Sequence, residues 1–153
     1  MPSEFAKRQK DDMVRDISSL GSLFAYLLIL IIFLIQKNYY LAEKLFAGIA
    51  IIYSVVIIVK SIYFKERPER YPYSSFIERL DASSFPSMHA IRISFLSAIL
   101  IKYFDNYIMS IAAVILVLMV SYSRIYLKKH DKIDVLAGIF LGVAVYFAVN
   151  WVF

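Results

Sequence analysis

Five apolar stretches, Leu20 to Gln36, Tyr40 to Phe64, Ser87 to Tyr103, Tyr107 to Tyr126 and Ile133 to Phe153, occupy most of a 153-residue chain. Each approaches the ~20 residues that carry an α-helix across a bilayer. Lipid offers no partner to backbone N–H and C=O groups, so such segments must satisfy their own backbone, which helices do within one segment. The expectation is an all-α integral membrane bundle of about five transmembrane helices. With 61% apolar and 19% charged residues the chain does not match a soluble domain of this size. Ser87 to Tyr103 departs most from a lipid-facing span, because Arg92 and several serines interrupt it, and hydropathy alone describes a buried core helix equally well. One bundle uses the whole chain, so residues 1–153 are expected to form a single domain. The absence of cysteine excludes thiol nucleophiles, thiolate metal sites and disulfides.

The flanks of the stretches read as membrane interface. Tyr39, Tyr40, Tyr103, Tyr107 and Trp151 fall at stretch ends on one side, and Tyr63, Tyr71, Tyr73 and Tyr126 on the other, as aromatic belts do. Residues 1–19 are read as an interfacial N-terminal segment. Within it, Ser3 to Ser19 mixes basic and acidic residues around a thin apolar stripe of Phe5, Met13, Val14 and Ile17, which fits an interfacial helix or a flexible tail. Its acidic residues and the span-length run behind it argue against a signal peptide. The sizeable connection, residues 65–86, carries Ser75-x-x-Glu78 ahead of Leu80, a capping-box pattern that predicts a short helix at the interface. Such a loop serves as a lid or as plain cover.

Three strings at stretch ends carry the chemistry: KSIYFKERP from Lys60 to Pro68, FPSMHA from Phe85 to Ala90, and SRIYLKKHDKID from Ser123 to Asp134. Alternate threading through a bilayer brings all three out on one side. Lys60 and Arg67 are seven apart, two helical turns, so both are expected on one face of the second span, with Pro68 ending that helix. Two cations stacked at a helix end suit an anion with several oxygens. Pro86 fits a first helical position with Ser84 as a cap, leaving the amides near Ser87 to His89 free for an anion. His130 lies four residues before Asp134, so on a helical turn the carboxylate would hold one ring nitrogen and leave the other as a nucleophile. Asp131 suits the first turn of the last span, and Lys128, Lys129 and Lys132 read as a solvated basic edge.

These strings resemble the three signature motifs of the type 2 phosphatidic acid phosphatase superfamily, membrane lipid phosphatases related to vanadium haloperoxidases. That pattern is Lys, six residues, Arg-Pro; then Pro-Ser-Gly-His; then Ser-Arg, five residues, His, three residues, Asp. The chain carries the first as Lys60, Arg67 and Pro68 and the third as Ser123, Arg124, His130 and Asp134. In the second, Pro86, Ser87 and His89 are kept and Met88 stands where glycine is commonest. The resemblance implies that Lys60, Arg67, Arg124, Ser87 and the Met88 amide hold the phosphoryl group. His130 would attack phosphorus to give a phosphohistidine, Asp134 would orient it, and His89 would protonate the leaving oxygen. Fixed cations would do the work magnesium does elsewhere, so no metal and no cofactor are implied. Many relatives have six spans; five would keep the catalytic core without the first.

The implied function is hydrolysis of a phosphate from a membrane lipid, with lipid and bilayer as partners and no nucleic acid. Arg92, three residues after His89 and one turn deeper, is not a general signature residue. It would bind the second phosphate of a diphosphate, or pair with Glu66 or Asp81; the first reading favours a polyprenyl diphosphate (undecaprenyl or dolichyl) over phosphatidic acid or phosphatidylglycerophosphate. A lipid phosphotransferase and a non-catalytic lipid-binding or transport protein are the rivals. Gly138 and Gly142 form a G-x-x-x-G face, for which packing within the bundle is sufficient and which leaves dimerisation and oligomeric state open. Apart from Lys37, Lys44, Lys102 and the in-span Arg92, all of the 17 Lys and Arg residues lie on the side of the three strings, including Arg70. The positive-inside rule puts that side in the cytoplasm, whereas the resemblance often implies the outer face.

Overall fold

The computed structural model describes residues 4–69 and 72–153. Tyr71 and Arg70, counted above in a belt and in the charge balance, lie outside the described residues, as does Ser3. Among the described residues seven helices follow in order: α1 (Glu4–Ser19), α2 (Leu23–Ile35), α3 (Tyr39–Ile62), α4 (Phe76–Ala82), α5 (Met88–Phe104), α6 (Tyr107–Tyr126) and α7 (Lys132–Val152). No strand occurs among the described residues.

The polar residues between apolar stretches set these boundaries. Ser22 accepts from the Ala25 amide to start α2, Asn38 from Leu41 to start α3, and Asn106 from Ile108 and Met109 to start α6. Each satisfies an amide that the first helical turn leaves unpaired. Ser75 and Glu78 form the expected capping box of α4, and Asp131 with Asp134 forms another on α7.

Among the described residues α3, α6 and α7 are each long and apolar enough to cross a membrane alone. The pair α1 and α2 meets the same test as one element bent by 45°. The third apolar stretch, α5, is 17 residues long and lies at the centre of the bundle. It packs against α6 and α7, and also touches α2 and α3, so that nine of its residues are buried. Arg92 and the serines that interrupt its hydropathy therefore face protein, and α5 is the core helix that its composition also allowed. Phe95 and Ile91 on α5 join Tyr26, Leu45, Ile52 and Val149 in the core. Tyr26 stays buried because its hydroxyl donates to the Leu45 carbonyl at 2.7 Å. Phe24, Phe46, Phe140 and Phe147 point outward, as lipid-facing side chains do.

Gly138 and Gly142 lie where α7 presses on α5. A Cβ at Gly142 would stand 2.5 Å from the Ile91 carbonyl oxygen, and one at Gly138 would stand 2.8 Å from that of Ser87. Only glycine permits this approach, so the G-x-x-x-G face is occupied inside the bundle. The α1 segment is helical. Its expected stripe divides: Val14 is buried and Ile17 half-buried, while Phe5 and Met13 stay exposed. Its packing partner is α6.

Candidate active site

Lys60 lies in the last turn of α3, buried, with its ammonium donating to the carbonyls of Leu80 (3.0 Å) and Ser83 (2.8 Å). The helix ends at Ile62, earlier than Pro68 implies, so Arg67 does not share a helical face with Lys60. The reason is a competing set of backbone partners. Ser84 N–H donates to the Lys65 carbonyl at 2.8 Å, the Lys65 amide to Ser83 Oγ at 3.3 Å, and Ser84 Oγ to the Glu66 carbonyl at 3.2 Å. The two ends of the long connection thus run side by side, and the extended segment 63–67 carries Arg67 back over the bundle. Its guanidinium donates to the Asp81 carbonyl and lies 3.9 Å from the Asp81 carboxylate.

The start of α5 also differs from expectation. Met88 is the first helical residue and Ser87 the cap, so Pro86 precedes the helix and Ser84 does not cap it. Ser84 instead offers its carbonyl to His130 Nδ1 at 2.7 Å. Ser87 N–H donates to the Asp134 carbonyl at 3.1 Å, and its buried hydroxyl has no hydrogen-bond partner among the described residues. A buried hydroxyl of this kind is costly unless a ligand completes it.

His130 sits in the turn between α6 and α7 rather than on α7 itself. Asp134 Oδ2 is 3.8 Å from Nδ1, outside hydrogen-bond range, so the Ser84 carbonyl is the group that fixes the ring. A carbonyl can only accept, so Nδ1 carries the proton and Nε2 the lone pair. Asp134 is fully buried and is held by Lys65 Nζ at 2.7 Å and by the Asp131 amide at 3.0 Å. Lys65 also pairs with Asp131 at 2.6 Å. Arg124, in the last turn of α6, donates to Ser18 Oγ at 2.8 Å. Lys129 pairs with the exposed Glu69 at 2.6 Å.

These groups converge on one cavity of about 280 Å³, lined by Lys60, Arg67, Met88, His89, Arg92, Arg124 and His130 together with Tyr53 and Asp81. Ser87 and Asp134 stand behind that lining. Arg92 is not paired with Glu66 or Asp81: its Nε donates to the Gly21 carbonyl (3.1 Å) and its Nη1 to the Tyr53 hydroxyl (3.2 Å). Both partners are neutral because the α1–α2 junction and the middle of α3 face it, not the acidic loop. Four cations around one small cavity make a site for a multiply charged anion.

A model of the PAP2 superfamily matches residues 41–153, three quarters of the chain. The chain belongs to the PAP2 superfamily. The PAP2 fold extends over nearly all of it. The crystal structure of a transmembrane PAP2-type phosphatidylglycerolphosphate phosphatase from Bacillus subtilis superposes with a TM-score of 0.75 at 22% identity, covering 94% of this chain and 76% of that one. Aquifex aeolicus LpxE superposes with a TM-score of 0.78 at 19% identity, covering 94% and 86%. No curated protein matches the sequence significantly. PAP2 membership carries the reaction class that the three strings imply, hydrolysis of a phosphoric ester at a membrane. Lys65, Tyr53 and the Ser18–Gly21 contacts are the parts of this PAP2 site that the motifs do not contain. Tyr53 had a signal, since it lies two turns before Lys60 on the same face of a span.

Burial, opposed by Asp134 and reinforced by the charges of Arg124 and Arg67, holds the His130 imidazole below its ordinary range. A nucleophilic role for His130 requires the unprotonated ring, so activity would then be lost only as pH falls through that lowered pKa. The acid limb of kcat/KM is therefore expected below about pH 6.5, where an unperturbed histidine titrates. A pH–rate profile checks this; an acid limb at or above that value contradicts it.

Proposed function

We propose that the chain is a multi-pass membrane lipid phosphatase working through a phosphohistidine, with a polyprenyl diphosphate as favoured substrate. The observation that carries it is the meeting of His130, His89 and the cations Lys60, Arg67 and Arg124 on one cavity, with Nδ1 of His130 committed to a carbonyl. Nε2 of His130 attacks phosphorus as the bond to the lipid-side oxygen breaks, and His89 delivers a proton to that oxygen. Water then attacks the phosphohistidine, leaving a proton on His89, and inorganic phosphate departs with His130 restored. The three cations, Ser87 Oγ and the amide of Met88 hold the phosphoryl oxygens as charge builds on them. The reaction needs no metal and proceeds in EDTA.

Arg92 supports the diphosphate reading. It lines the same cavity one turn beyond His89, and its neutral partners leave its charge uncompensated. The concentration of cations at this end supports a cytoplasmic orientation of the cavity. A glycerolipid monophosphate is the second reading, favoured by the phosphatidylglycerolphosphate phosphatase named for the Bacillus structure. The test is phosphate release in EDTA from polyprenyl diphosphate, phosphatidic acid and phosphatidylglycerophosphate. The diphosphate is expected to lead, and Arg92→Ala to lower its kcat/KM by about tenfold more than that of a monophosphate. An unchanged preference removes the role of Arg92, and no release from any of the three favours the phosphotransferase.

A further inference from the structure

A second polar cavity, of about 360 Å³, lies at the other end of the bundle between the starts of α3 and the ends of α5 and α7. Lys44 is its central charge. The residue belongs to the same helix as Lys60 but sits 16 positions earlier, about 24 Å away along the axis. Its side chain is buried, with a relative exposure of 6% for the residue, yet none of the cavity's lining residues is acidic. Its ammonium donates to Asn150 Oδ1 at 2.6 Å and lies 4.3 Å from the centre of the Tyr40 ring. Both partners are neutral. The neighbouring carboxylate, Glu43, lines a different, apolar cavity. An ammonium has three donors, and Asn150 is the one hydrogen-bond acceptor that Lys44 has among the described residues. Lys102 stands exposed on the rim, and Asn38, Asn150, Tyr103 and Tyr146 complete the wall.

A charge buried in protein is costly unless paired, and a buried ionisable residue on a membrane-spanning helix is by default a sign of function. We propose that this cavity binds the phosphate of an anionic ligand on the membrane face opposite the catalytic cavity, with Lys44 as its buried contact and Lys102 at its mouth. A bilayer phospholipid head group and free phosphate share that chemistry. The bland alternative is that Lys44 only ties α3 to α7 through Asn150. Lys44→Gln separates the two, because the glutamine amide can still donate to Asn150 and carries no charge.

The full chain would be placed in phosphatidylcholine nanodiscs, either with phosphatidylglycerol added or with inorganic phosphate in the buffer. Retained lipid would be read by native mass spectrometry and stabilisation by thermal unfolding. Both proteins keep the catalytic cavity, so its own binding cancels in the comparison. Wild type is expected to retain one more phosphatidylglycerol than Lys44→Gln, and the variant to bind about tenfold more weakly. Stabilisation by inorganic phosphate that Lys44→Gln loses identifies the free ion as sufficient; a difference in the lipid arm alone identifies the head group. Equal retention and equal stabilisation in both proteins overturn the proposal. Phosphate release by Lys44→Gln in phosphatidylcholine alone, at the wild-type rate, shows that it is folded. If that rate is lost, Lys102→Gln is measured in its place, and an unchanged phosphatidylglycerol and phosphate response in that variant overturns the proposal equally.

Discussion

His130→Ala is expected to lower phosphate release by 10³-fold or more and to abolish any covalent phosphoenzyme. The size follows from what the side chain supplies. Its Nδ1 is fixed by the Ser84 carbonyl at 2.7 Å, which sets both the tautomer and the ring plane, so the Nε2 lone pair is presented without reorganisation. The cations that remain in the variant would still bind a phosphorylated lipid, so KM should change far less than kcat. Rapid quenching with labelled substrate supplies the check, because a phosphohistidine is acid-labile and survives base. An acid-labile phosphoenzyme that persists in His130→Ala would move the nucleophile to another residue, and His89 would be the next to test.

The second large effect is expected at Lys65, which the motifs pass over. Lys65→Met removes the one cation that touches Asp134 among the described residues, and leaves that fully buried carboxylate with the Asp131 amide and a ring nitrogen 3.8 Å away. Stranding a buried charge costs about 3–5 kcal/mol. The lower end applies here, since the Lys65 side chain is 24% exposed and water can reach the gap. Chemical unfolding in detergent measures that loss. Lys65 acts as a positioning residue, and a second readout separates that role from plain packing. Freed from Lys65, Asp134 turns its whole charge on His130 and raises the imidazole pKa, so the acid limb of the pH–rate profile moves to higher pH. Lys65→Arg restores both stability and profile if the charge is what matters. A profile that stays in place while stability falls would reduce Lys65 to a structural contact.

Legibility in the sequence followed the physics of each segment. Helix α6 runs from Tyr107 to Tyr126 as its hydropathy predicts, because Asn106 caps one end and a polar turn closes the other. Helix α4 was readable for the same reason, through Ser75 and Glu78. Local signals of that kind are complete within four residues. The end of α3 was not readable, because it is decided by Ser83 and Ser84, about 20 residues further on, which take up the backbone of Lys65. The pairing of His130 with the Ser84 carbonyl and of Asp134 with Lys65 is long-range in the same sense. Spacing could bring His130 and Asp134 near each other, but it could not reveal which neutral or charged group would come between them. For Arg92 the sequence offered two carboxylates, while the fold brought up the Gly21 carbonyl and a tyrosine.

The bend between α1 and α2 bears on how such an enzyme changes over evolutionary time. Residues 4–40 lie ahead of the region that the superfamily model matches, yet two of the cavity's arginines are steadied from there, Arg124 by Ser18 and Arg92 by Gly21. Gly21 also packs so closely that a Cβ there would come within 2.8 Å of Val120 and 3.1 Å of His89. The restraint on these arginines thus comes from a stretch that contains none of the motif residues. Position 18 can change its side chain and release Arg124 while every motif residue stays as it is, whereas position 21 is closed to a side chain by Val120 and His89.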